Sequence, residues 1–268
     1  MSEERSYVIG TQDAEIARLG LQHRVWRASV LDFWQRGGIT VGQTVIDAGA
    51  GPGFATADLA EIVGSSGRVI AIERSRRFLD ALRARDFPNV DAIEADLTEY
   101  DWPTSVADRI WCRWVLAFVT DPAHAIAGMA RALKPGGAIL FQEYWDYSAW
   151  RLAPYCREFE DYVAKVIESW RAAGGEPDIG LALPRLLAEN RLAIEFVRPV
   201  VFTPRPREFA WHWPAAFARG YAATMVQQDR IAPADAAAID EILSRYEGDP
   251  NAFMVTPGVL QIVARKSG

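Results

Sequence analysis

The chain has 268 residues, half of them hydrophobic, with 35 acidic against 29 basic side chains and a formal net charge of −6. That length buries one sizeable core, and the negative balance offers no general attraction for phosphate backbones or anionic lipid, so nucleic acid and membrane surfaces are excluded in favour of a small-molecule partner. Cys112 and Cys156 stand in no CxxC or Cys/His cluster, which leaves no disulfide framework and no metal site.

The opening Met1-Ser-Glu-Glu-Arg5 has no apolar stretch behind it, and no segment is long and apolar enough to span a bilayer, so a cytoplasmic monomer or homodimer is expected. Residues Asp13 to Gln35 set Ile16, Leu19, Leu21, Val25, Trp26, Val30, Leu31 and Phe33 at roughly helical spacing. With Thr11 or Asp13 as cap, they predict one or two helices ahead of the core. Gly37-Gly38 ends them, and Gln43 to Ala48 reads as a first buried strand. The run Val45-Ile-Asp-Ala-Gly-Ala-Gly-Pro-Gly-Phe54 then breaks into three alternate glycines, as a strand end that receives a nucleotide-like cofactor does. A helix starting near Phe54 aims free N–H groups at such a ligand.

Next come a helix at Ala55 to Val63, a strand at Arg68 to Ile72 ending on Glu73, and a helix at Arg76 to Arg85. A third strand, Val90 to Glu94, ends near Asp96, and a fourth covers Ala107 to Cys112. The helix Pro122 to Leu133 is stopped by Lys134-Pro-Gly-Gly137, because proline cannot continue a helix and glycine accepts the left-handed cap. A fifth strand, Ala138 to Gln142, runs into Glu143-Tyr-Trp-Asp146. Strands alternating with helices predict an α/β fold with a doubly wound parallel sheet and its functional loops on one edge.

Beyond Trp145, helices are expected at Pro154 to Ala173 and Leu181 to Asn190, then a strand at Ile194 to Phe202. A proline- and aromatic-bearing stretch, Thr203 to Pro214, leads into a helical region through Tyr246, and the last strand is Val259 to Arg265. These late helices are expected to cover the carboxyl edge of the sheet. The chain thus divides into an N-terminal helical cap, 1–40, and a domain over 41–268 with cover segments at 147–192 and 205–250.

Four features fall at four successive strand ends: Asp47 with Gly49, Gly51 and Gly53; Glu73; Asp96-Leu97; and Cys112-Arg113-Trp114. Carboxyl ends in such a sheet face one crevice. Glu73 lies where an acidic residue grips ribose hydroxyls, Asp96 can accept from an adenine amine, Leu97 can wall the base, and Asp47 can hold a cationic amino-acid moiety.

Together with Glu94-Ala-Asp-Leu97, Arg113-Trp-Val-Leu116 and Leu-Lys-Pro-Gly-Gly137, this order resembles class I S-adenosylmethionine-dependent methyltransferases of the small-molecule type, over roughly Val41 to Glu143. The resemblance implies a Rossmann-like seven-stranded sheet whose last strand is antiparallel. It implies S-adenosylmethionine as cofactor, leaving as S-adenosylhomocysteine. The methionine portion would lie in the glycine loop with Ala48, the ribose on Glu73 beside Arg74, adenine at Asp96-Leu97, and the amino acid near the Arg113 backbone. Tyr7-Val-Ile-Gly10, with the helix carrying Arg18 and Gln22, resembles the N-terminal cap of some members and adds Tyr7 to the cofactor set.

Methyl transfer from a sulfonium is an in-line displacement, so positioning dominates and a base is needed only for a protonated acceptor. Candidates are Glu143, Tyr144 and Asp146 after the fifth strand and His212 in the cover, with His23 and His124 expected to be structural or surface residues. His212 either takes the acceptor's proton or is hydrogen-bonded between packed indoles. Trp114, Trp145, Trp211 and Trp213 could frame a flat acceptor or a cationic amine. O-methylation ranks ahead of N- and C-methylation. The alternatives are an NAD(P)-dependent oxidoreductase, whose Gly-x-Gly-x-x-Gly spacing this loop misses by one residue, and a non-catalytic cofactor-binding protein.

Overall fold

The computed structural model describes residues 13–267, so Tyr7 to Gly10 and Thr11 lie outside it. One helix, α1 (Asp13–Arg36), stands where one or two were expected. Its buried face carries His23, Trp26, Val30 and Phe33 at intervals of three and four, with Trp34 beside Phe33. Arg27 and His23 both bind Asp58, at 2.8 and 3.1 Å, and fix α1 to the next helix.

The βαβ series follows as β1 (Thr44–Ala48), α2 (Phe54–Val63), β2 (Arg68–Glu73), α3 (Arg76–Arg83), β3 (Val90–Glu94) and β4 (Ala107–Arg113). These strands pair in parallel in the order β3-β2-β1-β4, so their carboxyl ends share one edge. After α4 (Pro122–Ala132) comes β5 (Leu133–Asp146), parallel to β4. Lys134-Pro-Gly-Gly137 ends α4 as expected but belongs to the strand, since Leu133 already pairs with Ala107. Lys266 Nζ closes that corner by donating to the carbonyls of Ala130 and Leu133, each at 2.8 Å.

The second half contains β6 (Arg151–Ala153), α5 (Arg157–Ala172), α6 (Leu183–Glu189), β7 (Leu192–Val200), α7 (His212–Gln227), α8 (Pro233–Glu247), β8 (Phe253–Val255) and β9 (Gly258–Lys266). β9 inserts antiparallel between β5 and β7, completing the seven-stranded order β3-β2-β1-β4-β5-β9-β7. The helical region through Tyr246 is two helices, separated at Asp229, whose φ is +54°, and restarted by Pro233 in the first turn of α8. β6 and β8 form a separate two-stranded sheet that carries no sequence signal, being three residues each and about a hundred apart.

Candidate functional site

A single crevice of about 860 Å³ opens at the carboxyl ends of β1, β2, β3 and β4. Gly49 and Gly53 hold φ near +80°, and a Cβ on either would come within 2.3 Å of a Val115 or Leu82 methyl, so a side chain at either position is strained and must displace its neighbour. Gly51 also has positive φ, but a Cβ there meets nothing within 4 Å. Its empty flank is the side turned to the crevice, which it lines. Gly53 and Ala48 stand behind the wall: Gly53 packs against Leu82, and Ala48 is fully buried in β1. Their part in ligand contact is corrected to that of support.

Glu73 lines the crevice and also braces it. One carboxylate oxygen accepts from the Gly51 N–H at 2.9 Å and the other from the Ser75 N–H at 2.7 Å, while burial pushes its carboxyl up. Asp47 accepts from the Thr56 hydroxyl at 2.6 Å, and burial raises it to about 6. Asp96 turns on itself, accepting from the Thr98 N–H and hydroxyl, with Arg74 3.7 Å away and Leu97 beside it on the wall.

Arg113 is the residue whose side chain the sequence reading undervalued. Its guanidinium is buried, lies over the Trp111 and Trp114 rings at 5.9 and 5.2 Å, and lines the crevice. Nη1 has no hydrogen-bond partner among the described residues, and burial depresses the group to about 10. A buried cation on the crevice lining, with one donor unused behind it, fits an anionic ligand group. Its neighbour Trp114 holds φ +51°, a left-handed conformation unfavourable to a bulky side chain, at the crevice rim.

The acid–base candidates fare differently. Tyr144 lines the crevice, stacked on Trp114 at 5.4 Å. Side chains alternate along β5, so Glu143 and Trp145 do not follow it. Glu143 is fully buried, accepts from the Val115 and Leu116 N–H groups at 2.9 and 3.1 Å, and is raised by burial to about 8. It braces the loop after β4 and does not face the crevice. Trp145 packs at Gly258. His212 is exposed at the start of α7 against Phe209, away from the crevice lining, so the proton-acceptor role expected of it has no geometry behind it.

Trp211 is buried and donates to Glu247 at 3.0 Å, outside the crevice. Trp213 donates to Gln22 at 3.0 Å and stacks on Trp114 at 5.7 Å, so it backs the wall without forming it. His23 is buried against Asp58 and Phe54 and is pushed down by burial; His124 is exposed. Residues the sequence reading missed are Ser169 and Trp170 of α5, Phe217 of α7 and Arg230 after it, all lining the crevice. No motif marks them, because helical walls recruit residues by fold and not by spacing. Among the described residues no group of His, Cys, Asp and Glu could hold a metal ion, and no helix is long and apolar enough to cross a membrane.

A seven-stranded sheet with one antiparallel strand, a glycine loop after β1 and acidic ends on β2 and after β3 define the class I methyltransferase fold. Residues 46–141 match the family model described as a methyltransferase domain. Over residues 46–141 the chain thus carries a methyltransferase domain, on the fold of class I S-adenosylmethionine-dependent methyltransferases. Among relatives, the ubiquinone/menaquinone biosynthesis C-methyltransferase UbiE of Psychromonas ingrahamii is 35% identical over 127 residues, covering 46% of this chain and 49% of that one. The UbiE of Escherichia coli is 32% identical over the same length, covering 46% and 49%. The chain thus spans about half the length of the relatives it matches.

Among solved structures, a methyltransferase of Bacillus halodurans superposes with TM-score 0.62 at 14% identity, covering 90% of this chain and all of that one. The [4+2]-cyclase SpnF reaches 0.59 at 20% identity, covering 90% and 81%. The geranyl diphosphate C-methyltransferase of Streptomyces coelicolor reaches 0.57 at 15%, covering 91% and 80%. These likenesses concern the fold, and a cyclase among them illustrates that a fold does not name a reaction. The family match favours neither alternative, the nicotinamide-dependent oxidoreductase nor the non-catalytic cofactor-binding protein.

Proposed function

We propose that this protein methylates a small-molecule acceptor using S-adenosylmethionine. The observation that carries the reading is the crevice itself, in which a glycine loop, a ring of strand-end carboxylates and the Arg113 side chain converge. Glu73 would take the ribose hydroxyls, Asp96 and Leu97 the adenine, and Asp47 with Arg113 the amino and carboxylate groups of the methionine end. When bound, the cofactor supplies an electrophilic methyl group on a sulfonium. The chain's own contribution is to orient the acceptor along the displacement axis and to exclude water.

Carbon replaces oxygen as the favoured acceptor atom, because the matching relatives are named C-methyltransferases. Calorimetric titration of the stripped protein tests the cofactor. Micromolar binding of S-adenosylmethionine and S-adenosylhomocysteine, without NAD(H) or NADP(H), is expected. The reverse pattern overturns the reading, and binding without any turnover across phenols, enols and carbon acids removes the catalytic part.

Glu73→Gln should weaken S-adenosylhomocysteine binding by roughly tenfold or more, since a hydrogen bond to a charged group is worth about 1.5–3 kcal/mol. The amide oxygen can keep the Gly51 N–H but the NH2 cannot accept from Ser75, so the melting temperature of the variant is measured alongside to separate loss of the brace from loss of the ribose contact. Unchanged affinity in the same titration would take Glu73 off the ribose.

A further inference from the structure

The charges lining the crevice are unevenly distributed. Its carboxylates, Asp47, Glu73 and Asp96, all come from strand ends, whereas α1, α5, α7 and the turn after α7 contribute two arginines and no acid. Arg18 of α1 is offset by Glu15, at 2.6 and 2.7 Å, and its guanidinium lies 5.5 Å over the Phe217 ring. Arg230 follows the left-handed Asp229, its backbone N–H held by the Met225 carbonyl at 2.8 Å, and pairs with no carboxylate among the described residues.

Beside it the wall presents aromatic faces and hydroxyls. Trp170 and Phe217 meet edge to face at 6.0 Å. The Ser169 hydroxyl, on the lining, shares a 2.7 Å hydrogen bond with the buried Tyr221 hydroxyl, and burial pushes the phenol up, so it stays protonated at neutral pH. Guanidinium and hydroxyl groups in this state donate hydrogen bonds and do not take protons. A cationic acceptor would meet only like charge here, and a protonated one would find nothing on this wall to take its proton.

We propose that the acceptor is a flat molecule bearing an oxyanion, a carboxylate, phenolate or enolate, with the oxygen read by Arg230 and Ser169 and the apolar body against Trp170 and Phe217. The inference rests on the methyl-transfer reading and narrows its substrate. Transfer to the carbon of an enolate forms the C–C bond as the S–C bond breaks and leaves no proton to remove. A ring-methylated phenolate passes its ring proton to its own oxygen through solvent, so neither needs a general base on this wall. A carboxylate serves only as the anionic handle that the wall reads. Arg230 is then a specificity-determining residue.

The test uses the full chain saturated with S-adenosylhomocysteine and three probes of one shape: 2-naphthoate, naphthalene-2-methanol and 2-naphthylmethylammonium, followed by quenching of tryptophan emission. Naphthoate should bind roughly tenfold or more tighter than the alcohol, the worth of one charge-assisted contact, and the ammonium weakest. Arg230→Gln should bring naphthoate to within about twofold of the alcohol, while leaving the affinities for the alcohol and S-adenosylhomocysteine unchanged. Equal affinities, preference for the ammonium, or an anion preference that survives Arg230→Gln overturns the inference alone. Failure of S-adenosylhomocysteine to bind overturns the methyl-transfer reading and this inference with it.

Discussion

Arg113→Met is expected to weaken S-adenosylhomocysteine binding by roughly 10- to 100-fold and to leave the melting temperature unchanged or raised. The two halves of that result have separate causes. The guanidinium is held over two indole rings with Nη1 unused, and burial already depresses it to about 10, so the folded protein keeps a cation at a cost in solvation. Methionine fills similar volume without that cost. A ligand carboxylate, in contrast, loses a charge-assisted contact worth about 1.5–3 kcal/mol. Asp47, which burial raises to about 6 against the downward pull of the Arg113 charge, should titrate still higher in the variant. Binding measured between pH 6 and 8 should therefore lose affinity toward the acid end more steeply than in the wild type. Unchanged affinity with a lowered melting temperature would make Arg113 a packing residue and remove it from the amino-acid end of the cofactor.

That expectation could not have come from sequence, and the reason is physical. Strand ends of a parallel sheet are set by local pattern: apolar runs stop at Asp47, Glu73 and Arg113, glycine marks the turn, and the rest of the crevice edge follows from topology. The sequence reading named the Arg113 backbone because the motif lies there, but which way a buried guanidinium points depends on Trp111 and Trp114 packing around it. The helical wall was less legible still. Trp145, Trp211 and Trp213 looked like frames for an acceptor, yet the first packs at Gly258, the second is tied to Glu247, and the third stacks behind Trp114. Trp170, which does line the crevice, sits in an ordinary amphipathic helix where nothing but tertiary placement distinguishes it from core. Glu143 shows the same limit within one strand: being one residue from Tyr144 puts it on the opposite face.

Glu143 nevertheless governs the crevice from behind, and its effect should appear as a fall in stability as pH rises from about 5 to 8. Its folded-state carboxyl is raised to about 8 from an ordinary 4.5, so between those values the folded chain keeps a proton that the unfolded chain releases. Stability changes with pH in proportion to protons bound in the unfolded state minus those bound in the folded state, which is negative here. The slope is on the order of 1 kcal/mol per pH unit for one group. Asp47, raised to about 6, adds a contribution of the same sign lower in the range. Glu143→Gln keeps an oxygen for the Val115 and Leu116 N–H groups but does not titrate, so urea unfolding at pH 5, 6.5 and 8 should show a flatter dependence and higher stability at pH 8. Glu143→Leu instead leaves those two donors without their acceptor, at about 1–3 kcal/mol each, and should loosen the Trp114 to Phe118 loop that lines the crevice, weakening S-adenosylhomocysteine binding even at pH 6. If the Gln variant keeps the wild-type slope, another buried acid carries it and Glu143 is ionised in the fold, a state in which the two N–H groups alone would offset the burial of its charge.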